Sequence, residues 1–202
     1  MTFRFNKEEH AYYMGDRRIA SVNQILERVG MKHSIYQNEE NTLKYMKLGT
    51  EFHRLTEEFD LGRIELDDTS IDYRLRPKLV QWAEFRECWD CEVLALEERF
   101  VFDDGSYSYA GTADRVVIRD GKECILEIKS SFDPKHVRLQ VAGYAYGIGC
   151  DDVVSVGYKT MDSPRYVVEV NRERWRLRTF TGSEDIETWK HALKLYDYLE
   201  ER

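Results

Sequence analysis

Hydrophobic and polar positions alternate near the start of the chain. Phe3, Phe5, Tyr12 and Ile19 fall around the turn residues Gly15-Asp16, which predicts a short hairpin within the first twenty residues. Ser21 follows, with Gln24 three residues later and Ile25 and Leu26 behind it. This is a capping-box pattern, in which the serine hydroxyl accepts from the backbone three residues on and the glutamine reaches back to the serine N–H. The period then becomes helical over residues 42–59, ended by the Gly62 region, and again over 71–94, where Pro77 is tolerable only within the first turns.

Strand patterning begins at residues 97–102, and the turn Asp103-Asp104-Gly105-Ser106 leads into a long strand, 110–119. Asp120-Gly121 is a strong two-residue hairpin signal, with a further strand at 123–129. Asp133 and Pro134 read as N-cap and first residue of a helix running to about residue 147. Two more strands are expected at 153–158 and 166–170, and Ser183-Glu184-Asp185 opens a closing helix to residue 199. With no internal repeat, low-complexity segment or linker in view, residues 1–202 read as one domain.

The Asp120-Gly121 loop fixes a register. If Arg119 pairs with Lys122, counting outward sets Asp114 across from Glu127. Directly opposed β-carbons lie roughly 4.5–5.5 Å apart. Two carboxylates at that distance repel, so an apolar sheet holding them either raises one pKa or provides a cation. Hard divalent ions such as Mg²⁺ and Mn²⁺ prefer such oxygens. Lys129, two residues beyond Glu127, shares its face, while Ile128 points the other way. A cation, two carboxylates and a lysine side by side suit phosphodiester hydrolysis.

The competing reading, that these residues decorate a solvated hairpin with Arg115, Arg119, Lys122 and Glu123, is opposed by the apolar run Cys124-Ile125-Leu126-Glu127-Ile128-Lys129. Gln140 and Tyr144, four apart, share a face of the following helix and can lie over the strand ends. His53 sits between Phe52 and Leu55 on an earlier helix, four residues after Gly49, which is read as allowing close packing there.

In order and interval, Gly49-x-x-x-His53-Arg54, Gly111-Thr112-Ala113-Asp114, Glu127-Ile128-Lys129 and Gln140-x-x-x-Tyr144 resemble the PD-(D/E)XK nuclease superfamily. The closest likeness is to its RecB-like branch of recombination nucleases, phage exonucleases and CRISPR-associated adaptation nucleases. The resemblance spans about half the chain, from Gly49 to Tyr144. It implies an α/β protein with a restriction-endonuclease-like core, a central mixed β-sheet flanked by α-helices. It also implies Mg²⁺ or Mn²⁺ held by His53, Asp114, Glu127 and the Ile128 carbonyl, with Asp114, Glu127 and Lys129 as the catalytic set. Gln140 and Tyr144 would then position the lysine or the nucleic-acid backbone. Some members hold an iron–sulfur cluster with three cysteines near the C-terminus; this chain has none after Cys150, and no cluster is expected.

Composition constrains the rest. At 202 residues the chain can bury about 70% of its unfolded surface. Its 13 Tyr, 9 Phe and 4 Trp exceed what a disordered chain carries. No apolar run approaches the roughly 20 residues of a membrane span, and the start lacks a secretory signal, so a cytoplasmic protein without membrane association is expected. Cys88-x-x-Cys91 has metal-ligand spacing but falls inside the helix expected over 71–94, and Cys124 and Cys150 stand alone; reduced thiols are the favoured reading. The net charge of −8 argues against broad attraction to nucleic acid, so DNA binding would need a local basic track. Lys135, His136 and Arg138 lie nearest the expected centre. Arg172, Arg174, Arg176 and Arg178 form one basic face if their segment is a strand and scatter if Asn171 caps a short helix.

The function expected is a metal-dependent deoxyribonuclease. An exonuclease of DNA recombination, repair or phage DNA processing fits better than a site-specific enzyme, because no separate recognition domain is visible. The alternative is a catalytically silent nucleic-acid-binding subunit with the same fold. DNA is the expected partner, together with a second copy of the chain or a recombination protein.

Overall fold

The computed structural model describes residues 2–32, 39–130, 133–150 and 157–200. Three short strands open the chain, β1 (Phe3–Asn6), β2 (Ala11–Met14) and β3 (Arg17–Ile19), paired antiparallel in that order. The Gly15-Asp16 loop closes β2 on β3 with Met14 opposite Arg17, and Gly15 takes φ +61°. The expected hairpin is thus present with a third strand added. Asn6 makes that addition possible, since its Oδ1 accepts from the N–H groups of Glu8 and Glu9 and turns the chain back.

Ser21 caps α1 (Val22–Arg28) as its sequence demands, with both capping-box hydrogen bonds formed. The long α2 (Glu39–Asp60) ends in a Schellman arrangement. Gly62, at φ +66°, donates to the Phe59 carbonyl and Arg63 to that of Glu58. The next helix, α3 (Arg76–Cys88), has Pro77 in its first turn. It is shorter than the predicted 71–94, and Cys91 lies outside it. Trp89 leaves the helical conformation and packs on Phe85 and Tyr166, and the apolar stretch behind it joins the sheet as β4 (Glu92–Asp103). The unbroken apolar run Val93-Leu94-Ala95-Leu96 fits either period, and pairing with Val116 and Val117 decides for the strand.

The remaining strands are β5 (Ser108–Arg119), β6 (Lys122–Lys129), β7 (Arg165–Val170) and β8 (Trp175–Phe180), in the order β4-β5-β6-β7-β8. Neighbours are antiparallel except β6 and β7, whose parallel pairing has α4 (Pro134–Gly149) between them in the chain. The closing helix is α5 (Glu184–Glu200). The strand expected at 153–158 falls mainly on residues 151–156, outside the described residues.

The mixed sheet has an apolar layer on each face. One contains α1, α4 and α5, with Phe100, Val116, Ile125 and Val167 from the strands. The other contains Phe52 and Leu55 of α2 and Trp82 and Phe85 of α3, over Val117, Leu126, Ile128 and Val168. The protein is therefore α/β, with a central mixed sheet flanked by helices, compatible with a restriction-endonuclease-like core. Among the described residues no helix is long and apolar enough to cross a membrane.

Candidate active site

Asp120 and Gly121 both adopt positive φ, +51° and +72°, the pair of values that a type I′ loop requires. Arg119 accordingly pairs with Lys122, and the ladder continues to Arg115 opposite Leu126. The paired ladder stops there, one residue short of Asp114 and Glu127, and beyond it the Asp114 N–H lies 3.5 Å from Glu127 Oε2. The N–H of Ile128 donates to Asp114 Oδ2 at 2.7 Å, tying the middle of β5 to the end of β6. Ile128 itself points into the α2–α3 layer, as strand alternation predicts. Lys129 Nζ contacts Glu127 Oε1 at 2.7 Å.

His53 reaches this point from α2. Phe52 and Leu55, both buried, anchor that helix, and His53 between them places Nδ1 3.0 Å from Asp114 Oδ1. The closeness does not depend on Gly49, contrary to the sequence reading. Gly49 is helical, and a β-carbon there would touch nothing within 4 Å. Gly111 is the glycine that close approach requires, since a β-carbon would stand 2.7 Å from the Phe100 ring and 3.0 Å from that of Tyr144.

Gln140 and Tyr144 are buried on α4, with Gln140 Nε2 donating to Tyr144 Oη at 2.9 Å and to Asn23 Oδ1 of α1 at 3.2 Å. Asn23 Oδ1 also lies 3.1 Å from His136 Nε2. Burial, with the charges of Lys129 and Lys32 added, lowers His136 to a pKa of about 4, so at neutral pH it is an uncharged hydrogen-bonding group. Arg138, by contrast, is committed to Asp185 and Glu184 of α5. Of the four arginines from 172 to 178, Arg176 and Arg178 lie on the exposed face of β8, as the strand reading predicts, while Arg172 sits in the β7–β8 turn that Asn171 organises.

The sequence reading passed over Glu97. Its neighbours Leu96 and Glu98 pair with Arg115 and Ala113, so Glu97 stands opposite Asp114 on the other side of β5. Nitrogen and oxygen atoms of His53, Glu97 and Asp114 all lie within 4.8 Å of one another. The electrostatics of the group are those of a site short of positive charge. Burial and the nearby Asp114 carboxylate raise both Glu97 and Glu127 to about 7. Burial would raise Asp114 as well, but the charge and hydrogen bond of His53, with Lys129 and the Ile128 N–H, outweigh it and hold Asp114 low. The same carboxylates raise His53 and Lys129 against their own desolvation. Glu97 Oε1 is buried without a hydrogen-bond partner, which a bound cation would supply, and a set of carboxylates with one imidazole suits Mg²⁺ or Mn²⁺.

Comparison with models of known protein families gives no match, and comparison with curated protein sequences gives none. Among solved structures, the chain is similar to that described as the crystal structure of SSO0001, at 15% identity and a TM-score of 0.39. That likeness covers 87% of this chain and 84% of the other.

Proposed function

We propose that this chain is a divalent-metal-dependent nuclease of the RecB-like PD-(D/E)XK type, hydrolysing DNA phosphodiester bonds, and that it acts in the cytoplasm as an exonuclease of recombination, repair or phage DNA processing. The observation that carries the reading is the convergence of His53, Asp114, Glu127 and Lys129 where the middle of β5 meets the end of β6. Three carboxylates, counting Glu97, face one lysine and one histidine there, an imbalance with no structural purpose in an apolar setting.

His53, Asp114, Glu127 and the Ile128 carbonyl would hold Mg²⁺ or Mn²⁺, which when bound would lower the pKa of a water and offset charge on the phosphate oxygens. In the hydrolysis, a water oxygen adds to phosphorus, the bond to one sugar oxygen breaks, and the departing oxygen takes up a proton. Lys129, fixed in direction by Glu127, orients the water or offsets the growing negative charge. Gln140 and Tyr144 wall the centre on the α4 side, and their mutual hydrogen bond keeps both in place. Lys32, whose charge acts with that of Lys129 on His136, would add positive potential on that side of the centre for an approaching phosphate.

A time course on linear, end-blocked and circular DNA with Mg²⁺ or Mn²⁺ tests the proposal. Degradation of the linear substrate, with blocked and circular DNA spared, is expected of an exonuclease. Cutting of circles would replace that with endonuclease action, and no cleavage with any divalent ion would overturn the proposal.

A further inference from the structure

The strand β4 is irregular in two places. Its register against β5 shifts between Val93 and Ala95, and three residues on, Glu97 adopts φ +49° in the middle of a twelve-residue strand. The left-handed region is unfavourable for a residue with a β-carbon and a long side chain, and such strain persists where a surrounding structure enforces it, often at functional sites. The register sets Glu97 opposite Asp114, and its carboxylate stands beside that of Asp114 and the imidazole of His53, although like charges repel there.

Glu97 gains little from the protein in return. The Oε1 atom is shielded from solvent and accepts no hydrogen bond among the described residues, although the side chain as a whole is 28% exposed, and the Arg115 guanidinium stays 4.0 Å away, already engaged by Asp60 at 2.9 Å and by the Asp114 carbonyl. A strained backbone, a repelled carboxylate and an orphaned oxygen would each be removed by evolution of a purely structural strand at no loss of packing. A dication between His53 Nδ1, Glu97 and Asp114 answers all three, because two carboxylates and a neutral imidazole match its charge and supply three donors from three separate elements.

We propose that Glu97 is a direct ligand of the divalent cation, added to the set named above, and that its strained backbone is kept for that role. The inference rests on the metal-dependent reading of the site. Because φ +49° suits glycine, Glu97→Gly removes the ligand and relieves the backbone together. Glu97→Gln keeps the side-chain length and removes only the charge.

The test is Mn²⁺ binding, followed by loss of the free-ion paramagnetic resonance signal, together with melting temperatures in chelator. Wild type, Glu97→Gly, Glu97→Gln and Asp114→Asn are compared without DNA. Both Glu97 variants are expected to bind Mn²⁺ at least about tenfold more weakly, with Glu97→Gly melting in chelator no lower than wild type. Should Glu97→Gly fail to fold, Glu97→Gln carries the comparison alone. A Glu97 variant that folds and binds Mn²⁺ within about twofold of wild type overturns the inference. If Asp114→Asn loses binding in that same series, the metal-dependent reading still stands. A wild-type protein that takes up no Mn²⁺ overturns both.

Discussion

Asp114 and Arg115 are neighbours on β5, both buried and both charged, yet the clusters built around them differ in kind. The Arg115 guanidinium contacts Asp60 at 2.9 Å, Thr56 Oγ1 at 3.2 Å and the Asp114 carbonyl at 2.6 Å. Asp60 in turn accepts from Trp82 Nε1 and pairs with Arg86. Two guanidiniums share one carboxylate there with their hydrogen bonds made, and the result clamps the end of α2 to the sheet. Around Asp114, the next residue along the strand, carboxylates outnumber the lysine and histidine that face them, and the Glu97 Oε1 atom has no hydrogen-bond partner among the described residues. A buried charged cluster that closes on itself is structural, whereas one that stays unbalanced points to a missing ligand.

The sharpest way to break this comparison is to disturb the closed cluster. Arg115→Met leaves Asp60 buried with one partner fewer, and a loss of about 3–5 kcal/mol in urea unfolding is expected; a loss under about 1 kcal/mol would show that the cluster is no clamp. Lys129→Ala, in the open cluster, should lower the rate of DNA cleavage by about 10²–10³-fold while the circular-dichroism spectrum stays folded. Undiminished cleavage would remove Lys129 from the catalytic set. Gly111→Ala inserts a methyl group against Phe100 and Tyr144 and should cost about 1–3 kcal/mol, read from the same urea curves.

The smallest effect expected is one of pH, and its sign follows from the open cluster. Glu97 and Glu127 have folded-state pKa values raised to about 7, and His53 is also raised. Between the ordinary carboxylate range and about pH 7 the folded chain therefore holds protons that the unfolded chain has released, so stability falls as pH rises. Asp114 works oppositely, but its contribution is lost only in acid far below this window. In chelator the melting temperature should drop by a few degrees from pH 5 to pH 8. Mn²⁺ should flatten that slope, since it competes with the same protons; a melting temperature that climbs with pH in chelator would contradict the charge assignment.

The halves of the site were unequally legible in the sequence. The nearness of Asp114 to Glu127 could be counted because a two-residue Asp-Gly loop admits one register, which the ladder follows as far as Arg115 opposite Leu126. Glu97 could not, although the same count from Asp103 opposite Ser108 leads to Asp114. The intervening loop is longer, a slip of one residue moves every side chain to the other face, and no residue type announces a left-handed glutamate. Nothing near Arg115 in the sequence marks it as buried and paired, because Asp60, its partner, is 55 residues away. His53 was marked only by its likeness to a motif, and the packing of Phe52 and Leu55 is what aims it. The over-long third helix has a local cause: residues 91–94 fit two periods, and contact with β5 settles which applies.

The central claim is that the unbalanced cluster is a metal-dependent hydrolytic centre. Incubation of linear DNA with purified wild type and Asp114→Asn, each in Mg²⁺ or in chelator, tests it most directly. Degradation by wild type with Mg²⁺ alone, and none by Asp114→Asn under either condition, is the result the account predicts. Cleavage that survives the chelator or the substitution, or DNA that is bound but never cut, would contradict it.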